Sequence, residues 1–421
     1  MKRAGHSVVL LALLVAACVE PAEPEFNATV NVIVVDGTIT NLPEAQIVAI
    51  NRSKADSLTG RFGSLPVTKA RVEVVIDSSR VIAYSEIRPG TYQLPDGFRA
   101  EPGHAYQVRF TTAEGTRYQS DQQVMPAAVP IQNYTVQFNA NSLPGTQYGG
   151  LQAGHDVAID TQDPAGVRNY YRWDWLLYER QDWCRSCYQG VYAVYGILPR
   201  TYIFGSYFVS GDKLYENCFV PPFTTDPSAP QVSGGYWYYD YECRTRCWEI
   251  IRSYSLNLFD DTFSNGGLIS SRRIAQLPFF QRTGALVQLR QASLTKEAYQ
   301  YYKLFQQQTQ NTGGLADTPP SAMVGNIRNV ANSRENVVGF FTASGVAVVT
   351  HWLDRKDATG AAPGLFQALS SRDPYPEPSP PYTGERPQPK VLIWGGPPRV
   401  PTATCELSDS RTPFKPEGWR D

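Results

Sequence analysis

Apolar and polar positions alternate at period two in short runs along most of the chain, and each run is closed by turn residues. Residues 29–35 and 46–50 are mainly apolar runs of strand length. In 70–74 the alternation puts Val72 and Val74 on one face and Arg71 and Glu73 on the other. The device recurs at 104–111, where Tyr106, Val108 and Phe110 face one way and Gln107 and Arg109 the other, and again at Tyr134, Val136 and Phe138. With a further run at 90–94 and with Pro-Gly and Glu-Gly turns, this spacing predicts an antiparallel β-sandwich over 26–140, immunoglobulin-like or transthyretin-like. Such a fold hosts many functions and selects none.

From residue 150 onward the strands grow richer in aromatics, at 157–159, 170–178 and 236–241. Tyr171, Trp173, Trp175 and Leu177 fall on one side of a strand and read as a core face, because aromatic side chains bury large areas. Tyr236, Trp237, Tyr238 and Tyr239 are consecutive, so one strand does not easily bury them all. They are the candidate ligand-stacking surface. One helix is predicted: Thr295 caps it, Leu294 staples to Tyr299, and Ala298, Tyr301, Tyr302 and Phe305 form its stripe. Gly313-Gly314 is its expected stop. Residues 337–352 read as a strand pair or a bent strand with Ser344-Gly345 at the bend, 372–389 as a Pro-rich loop, and 391–394 as a closing strand. The expected whole is mostly β: the sandwich, then a larger antiparallel β domain over 150–421 with one covering helix.

Composition agrees, since 18 Phe, 8 Trp and 25 Tyr with 33 Gly and 32 Pro favour sheets and turns over helical bundles. Thirty-eight basic against 39 acidic side chains leave a net charge of −1, which points away from a nucleic-acid partner. The N-terminus changes the picture more. Lys2 and Arg3 precede an uncharged apolar run from Val8 to Ala17, too short for the about 20 residues of a membrane helix and suited to an export signal. The run ends Val15-Ala16-Ala17-Cys18, which resembles a lipobox. Residues 1–17 are therefore the expected signal peptide, Cys18 the lipid-attachment residue carrying fatty acyl chains such as palmitate, and 18–25 an acidic, Pro-rich tether. Several acyl chains hold a protein stably at a membrane without a spanning segment. No aspartate follows Cys18, so the expected location is the outer membrane, on its periplasmic face or at the cell surface.

The other cysteines are Cys184, Cys187, Cys218, Cys243, Cys247 and Cys405. Cys184-x-x-Cys187 with Cys243-x-x-x-Cys247 has a spacing that a four-thiolate zinc site permits. In an exported protein an even set of six favours three disulfides, whose pairing spacing does not reveal. No metal or other cofactor is expected. His104, His155 and His351 are isolated in sequence, no hydrolase, zinc-protease or phosphate-loop motif is present, and no catalytic residue is assigned. Residues 260–266 carry oxygen donors but lack the alternating ligands and distal Glu of a known calcium loop, and read as an Asn-Gly turn.

Several landmarks taken in order resemble one family of Bacteroidetes outer-membrane lipoproteins, domain of unknown function 4249. They are the lipobox at Cys18; Ala70-Arg71-Val72-Glu73-Val74; Gly90-Thr91-Tyr92; Gly103-His104-Ala105-Tyr106-Gln107-Val108; and the Cys184 and Cys187 pair. They continue with Glu297-Ala298-Tyr299-Gln300-Tyr301-Tyr302, Gly325-Asn326-Ile327, Val338-Gly339-Phe340-Phe341, Cys405 and Lys415-Pro416-Glu417-Gly418-Trp419. The Pro-rich insertion before Val391 and a C-terminal segment with one cysteine depart from the family pattern. The resemblance implies a non-enzymatic accessory or binding partner of a TonB-dependent transporter, and it supplies no catalytic residues. The alternatives are a surface glycan- or peptide-binding module in which Trp237 and its neighbours stack on ligand, and an enzyme of unrecognised type.

Overall fold

The structure is a computed structural model that describes residues 32–55, 62–144, 152–192, 207–208, 232–309, 323, 325–369 and 402–421. For 54–55, 62, 185–192, 207–208, 232–241, 367 and 402 the description is of the backbone. Cys18, the signal, the tether, Gly313-Gly314, the Pro-rich loop and the closing strand at 391–394 lie outside these residues. The chain is mostly β. Its elements are β1 (Ile33–Thr40), β2 (Ile47–Ala55), β3 (Phe62–Pro66), β4 (Arg71–Ile76), β5 (Arg80–Ala83), β6 (Ser85–Arg88), β7 (Thr91–Gln93), β8 (Ala105–Thr111), β9 (Arg117–Ser120) and β10 (Gln123–Val124). There follow β11 (Asn133–Leu143), β12 (Gln152–Gln162), β13 (Tyr170–Tyr192), β14 (Tyr207–Phe208), β15 (Val232–Arg252), β16 (Asn257–Asp260), β17 (Leu268–Pro278) and β18 (Ala285–Leu294). Then come helix α1 (Lys296–Thr309), β19 (Ile327–Asn329), β20 (Val337–Leu353), a short helix α2 (Leu365–Leu369), β21 (Thr402–Ala403) and β22 (Arg411–Thr412).

One long sheet runs β21-β15-β13-β18-β20-β1-β2-β7-β6, a second β19-β9-β8-β4-β5, and a third β11-β12-β17. The period-two pattern decides the first core. Ile33, Val35, Val48 and Ile50 from the long sheet meet Val72, Val74, Tyr106, Val108 and Phe110 from the second, all buried, while Arg71 and Arg109 face solvent. This is the expected sandwich. Gln107 departs from the expected outward face: it is buried, and its Nε2 donates to the Ser120 carbonyl at 2.6 Å, which satisfies the amide where β9 covers it.

The second core lies between the long sheet and the three-stranded sheet. Tyr171, Trp173 and Leu177 are at most 1 % exposed there, so this aromatic face is core. The buried indole N–H is satisfied: Trp173 Nε1 donates to Gln291 Oε1 at 2.8 Å, and Gln291 Nε2 donates to the Val129 carbonyl at 2.8 Å. α1 starts as predicted. Thr295 Oγ1 accepts from the Ala298 N–H at 3.2 Å, and Leu294 and Tyr299 join one apolar cluster. Tyr301 and Tyr302 pack on that cluster, but Phe305, the last position of the predicted stripe, is 39 % exposed.

Two features correct a simple division of the chain near residue 140–150. β11, with Tyr134, Val136 and Phe138, pairs with β12 and so belongs to the second core's sheet. Conversely β19 pairs with β9, and Ile327, Val337, Phe341 and Ala343 lie in the first core. β20 does both: Val337–Ser344 pairs parallel with β1, and from Gly345 onward it pairs antiparallel with β18. The exchange falls at Ser344-Gly345, the expected bend. Asn41 fills the gap in the ladder, its side chain donating to the Val346 carbonyl and accepting from the Val346 N–H. A Cβ on Gly345 would lie 2.3 Å from the Pro126 carbonyl oxygen, so the residue is small because another chain segment crosses it. Among the described residues no helix is long and apolar enough to cross a membrane.

Candidate functional site: a disulfide-rooted ribbon

β13 and β15 pair from Leu176 with Arg252 to Tyr192 with Val232, far longer than an ordinary strand pair. β18 follows β13 only between Tyr170 and Tyr178. β22 and β21 support β15 at Trp248-Glu249 and Glu242-Cys243. From Arg185 and Tyr241 outward no third strand accompanies the pair among the described residues until β14 meets Val191 and Tyr192. At about 3.3 Å per residue the stretch from Arg185 to Tyr192 is roughly 25 Å long.

A lone hairpin is marginal in water, so its root must be held. Between Gln181 opposite Cys247 and Trp183 opposite Glu242 the register slips, and the extra residues of β15 turn Cys243 toward Cys184. Cys184–Cys243 closes the ribbon across its base with a Cα separation of 4.7 Å, and Cys247–Cys405 ties the C-terminal segment to the same place. Arg411 adds polar bonds: its Nε donates to Glu249 Oε2 at 2.9 Å and its Nη1 to the Cys184 carbonyl at 2.8 Å, while its guanidinium lies over the Trp183 ring at 4.3 Å. Trp183 also meets Phe366 edge-on, with centroids 4.9 Å apart. Trp419 packs edge-on against Trp248 and Trp352 and pins the chain end to the other side of the sheet.

The four cysteines described with their side chains are thus disulfides. The sulfur atoms of Cys184, Cys243 and Cys247 lie within 4.8 Å of one another, so the spacing that permits a zinc site does bring ligands together, but paired in this way they offer no thiolate. Cys218 lies outside the described residues, as does the side chain of Cys187. Tyr236, Trp237, Tyr238 and Tyr239 occupy the unaccompanied part of the ribbon, their backbone opposite Gly190, Gln189, Tyr188 and Cys187. Their side chains are outside the description.

One concave feature was not legible in sequence. A groove of about 420 Å³ crosses the outer face of the long sheet and carries Asp36, Glu44, Asp174, Arg172, Arg252 and Arg290 from β1, the β1–β2 turn, β13, β15 and β18. Arg290 grips Glu44 with both amino groups, at 2.9 and 2.5 Å, and Arg172 lies over the Tyr302 ring at 4.9 Å. Withdrawal from bulk water raises the Asp36 carboxyl above its usual range, with Arg172 pulling the other way. Desolvation lowers Arg172 and Arg290, but Tyr302 and then Asp174 outweigh it at Arg172, and Glu44 and Asp174 outweigh it at Arg290, holding both above the ordinary arginine value.

The three described histidines have separate partners. Exposed His104 pairs with Asp77 at 2.5 Å, and that hydrogen bond raises its pKa. His155 is buried among Phe138 and Phe279 with Asp357 at 3.2 Å, and burial lowers its pKa despite the carboxylate. His351 is lowered too, by burial and then by Arg420. The unfolded chain therefore takes up protons more readily than the native one at His155 and His351. Both subtract stability as pH falls through the ordinary value of about 6.5, and His104 acts with the opposite sign. Proton NMR titration should find the His104 midpoint above that value and those of His155 and His351 below it. A His155 midpoint above His104 would contradict the burial assignment.

Residues 19–349 match the family model described as Domain of unknown function (DUF4249). No curated protein and no solved structure matches the chain.

Proposed function

The chain belongs to the DUF4249 family, and from that premise we propose that it is a non-enzymatic outer-membrane lipoprotein that docks a TonB-dependent transporter, its ligand, or both. The observation that carries this reading is the ribbon. Among the described residues no third strand pairs with this stretch before β14, so its edges present backbone donors and acceptors that suit addition of a partner strand, and the consecutive aromatic residues Tyr236 to Tyr239 lie on it. The disulfide at the root keeps the ribbon in one register, so little order is lost on binding. Acylation at Cys18 and the tether would hold the protein beside a membrane receptor, on the periplasmic face or at the surface, and raise its effective concentration there.

Affinity capture from solubilised outer membranes, through a C-terminal tag on a linker, tests the proposal. Wild-type protein should recover a TonB-dependent receptor in mild detergent. Trp237→Ala, with an unchanged circular dichroism spectrum, should bind at least about 30-fold more weakly if Trp237 is a hot spot worth roughly 2 kcal/mol. Recovery of no receptor, or equal recovery with the variant, would sink it. A second reading, a peptide- or glycan-binding module, is favoured by the groove on the long sheet, whose mixed charges suit a small ligand bearing both signs.

A further inference from the structure

The loops at the β12–β13 and β16–β17 connections bury two carboxylates side by side in the fold. Asp163 is 1 % exposed and Asp261 fully buried. Both act on the Tyr171 hydroxyl, which donates to Asp163 Oδ1 at 2.5 Å. Asp163 Oδ2 accepts from the Gly266 N–H at 3.0 Å, and Asp261 Oδ2 accepts from the Asn169 N–H at 2.9 Å. All of these donors are neutral. Arg168, the cation at these loops, pairs instead with Asp260. Among the described residues neither Asp163 nor Asp261 has a cationic side chain at ion-pair distance. Burying two such charges without compensation is costly.

Asp261 Oδ1 is buried with no hydrogen-bond partner, and so is Ser264 Oγ. The turn in which Ser264 N–H donates to the Asp261 carbonyl at 2.8 Å brings these two residues together. The two carboxylates, one of them with a free oxygen, and the free Ser264 hydroxyl form an all-oxygen donor set.

We propose that this loop pair binds a calcium ion, with Asp261 and Ser264 as direct ligands, Asp163 completing the charge balance, and backbone carbonyls and water filling the remaining positions. Calcium fits better than magnesium because it accepts six to eight oxygens in irregular geometry, whereas magnesium demands a near-ideal octahedron. Residues 260–266, read from sequence as a plain Asn-Gly turn for want of a known calcium-loop pattern, supply both direct ligands, and the second carboxylate, Asp163, comes from a loop about a hundred residues earlier.

The test uses the full chain, stripped with a chelator and then titrated with terbium, excited through the aromatic side chains around Tyr171, and separately with calcium in thermal melts. Wild-type protein should show sensitised terbium emission that calcium displaces, and calcium should raise Tm by on the order of 5 °C at saturation. Asp261→Asn should lose at least ten-fold in emission and the calcium-dependent shift. Ser264→Ala, the milder variant, should fold normally and bind more weakly, which keeps the test decisive if Asp261→Asn does not fold. Absence of both signals in wild-type protein overturns the proposal and leaves the buried oxygens to an ordered water. Undiminished emission and shift in either folded variant overturn it as well.

Discussion

An Arg355→Met variant is expected to lose about 3–5 kcal/mol of unfolding free energy, which is what removal of one partner from a buried ion pair costs. The side chains of Arg355 and Glu179 are both 0 % exposed. Arg355 Nη2 donates to Glu179 Oε1, and Nη1 donates to Glu179 Oε2 at 3.1 Å and to the carbonyls of Gln281 and Thr283 at 2.7 and 2.9 Å. Gln281 Nε2 also donates to this carboxylate, at 2.8 Å. Methionine would preserve much of the volume but strand a carboxylate and two carbonyls in a dry site. The double variant Glu179→Leu/Arg355→Met removes both charges together and is expected to recover most of the loss, because desolvation of an unpaired ion is the dominant cost. Urea unfolding of the wild type, both single variants and the double variant checks this. If the double variant is as unstable as the sum of the two singles, the pair is not coupled and the argument fails.

The second large effect is expected at Gly339, where alanine should cost on the order of 3 kcal/mol or more. Gly339 has φ +109°, a region that L side chains rarely adopt, and a Cβ there would stand 1.8 Å from the Val35 carbonyl oxygen of the paired strand. On the other side Gly325 comes so close that its own Cβ would lie 1.6 Å from the Gly339 carbonyl. Neither obstacle is a flexible side chain, so β1, β20 and the 325 segment would have to separate. Gly97 offers the comparison: it also has positive φ, but nothing lies within 4 Å of its Cβ position. Thermal melts should therefore show Gly339→Ala lowering Tm several-fold more than Gly97→Ala. Equal losses would mean that backbone strain, and not the close approach of three segments, is the cause.

These positions also bring together landmarks that lie far apart in the chain. Gly325-Asn326 and Val338-Gly339-Phe340-Phe341 are separate motifs along the chain, yet they touch. Asn326 accepts from the Phe341 N–H at 2.9 Å and donates to its carbonyl at 2.8 Å, imitating a neighbouring strand. Gly418-Trp419 likewise reads as an isolated motif until Trp419 is found against Trp248 and Trp352. The core face at Tyr171, Trp173 and Leu177, the cap at Thr295 and the alternation in β4 and β8 were legible because each is set by spacing within one element. Glu179 and Gln181 continue the same face of β13 and are buried too, although their residue types alone point outward. Their partners, Arg355 and Gln281 among them, come from elsewhere in the chain, so period two located the face but could not show that it would hold an ion pair.

By itself, the sequence determined the strand-rich class, the faces of several strands, the helix start, the family, and a set of cysteines suited to disulfides. All of these follow from local periodicity, composition and ordered motifs. Tertiary structure alone decided that β20 serves two cores by changing partners at Gly345, and that Cys184 pairs with Cys243 and Cys247 with Cys405. It also decided that, among the described residues, β13 and β15 pair beyond the reach of their neighbouring strands, and that Asp163 and Asp261 are both buried. The physical reason is common to all four. Strand pairing, disulfide geometry and the desolvation of charge depend on which distant segments become neighbours, and a pattern along one strand specifies the face that is buried without specifying what is buried against it.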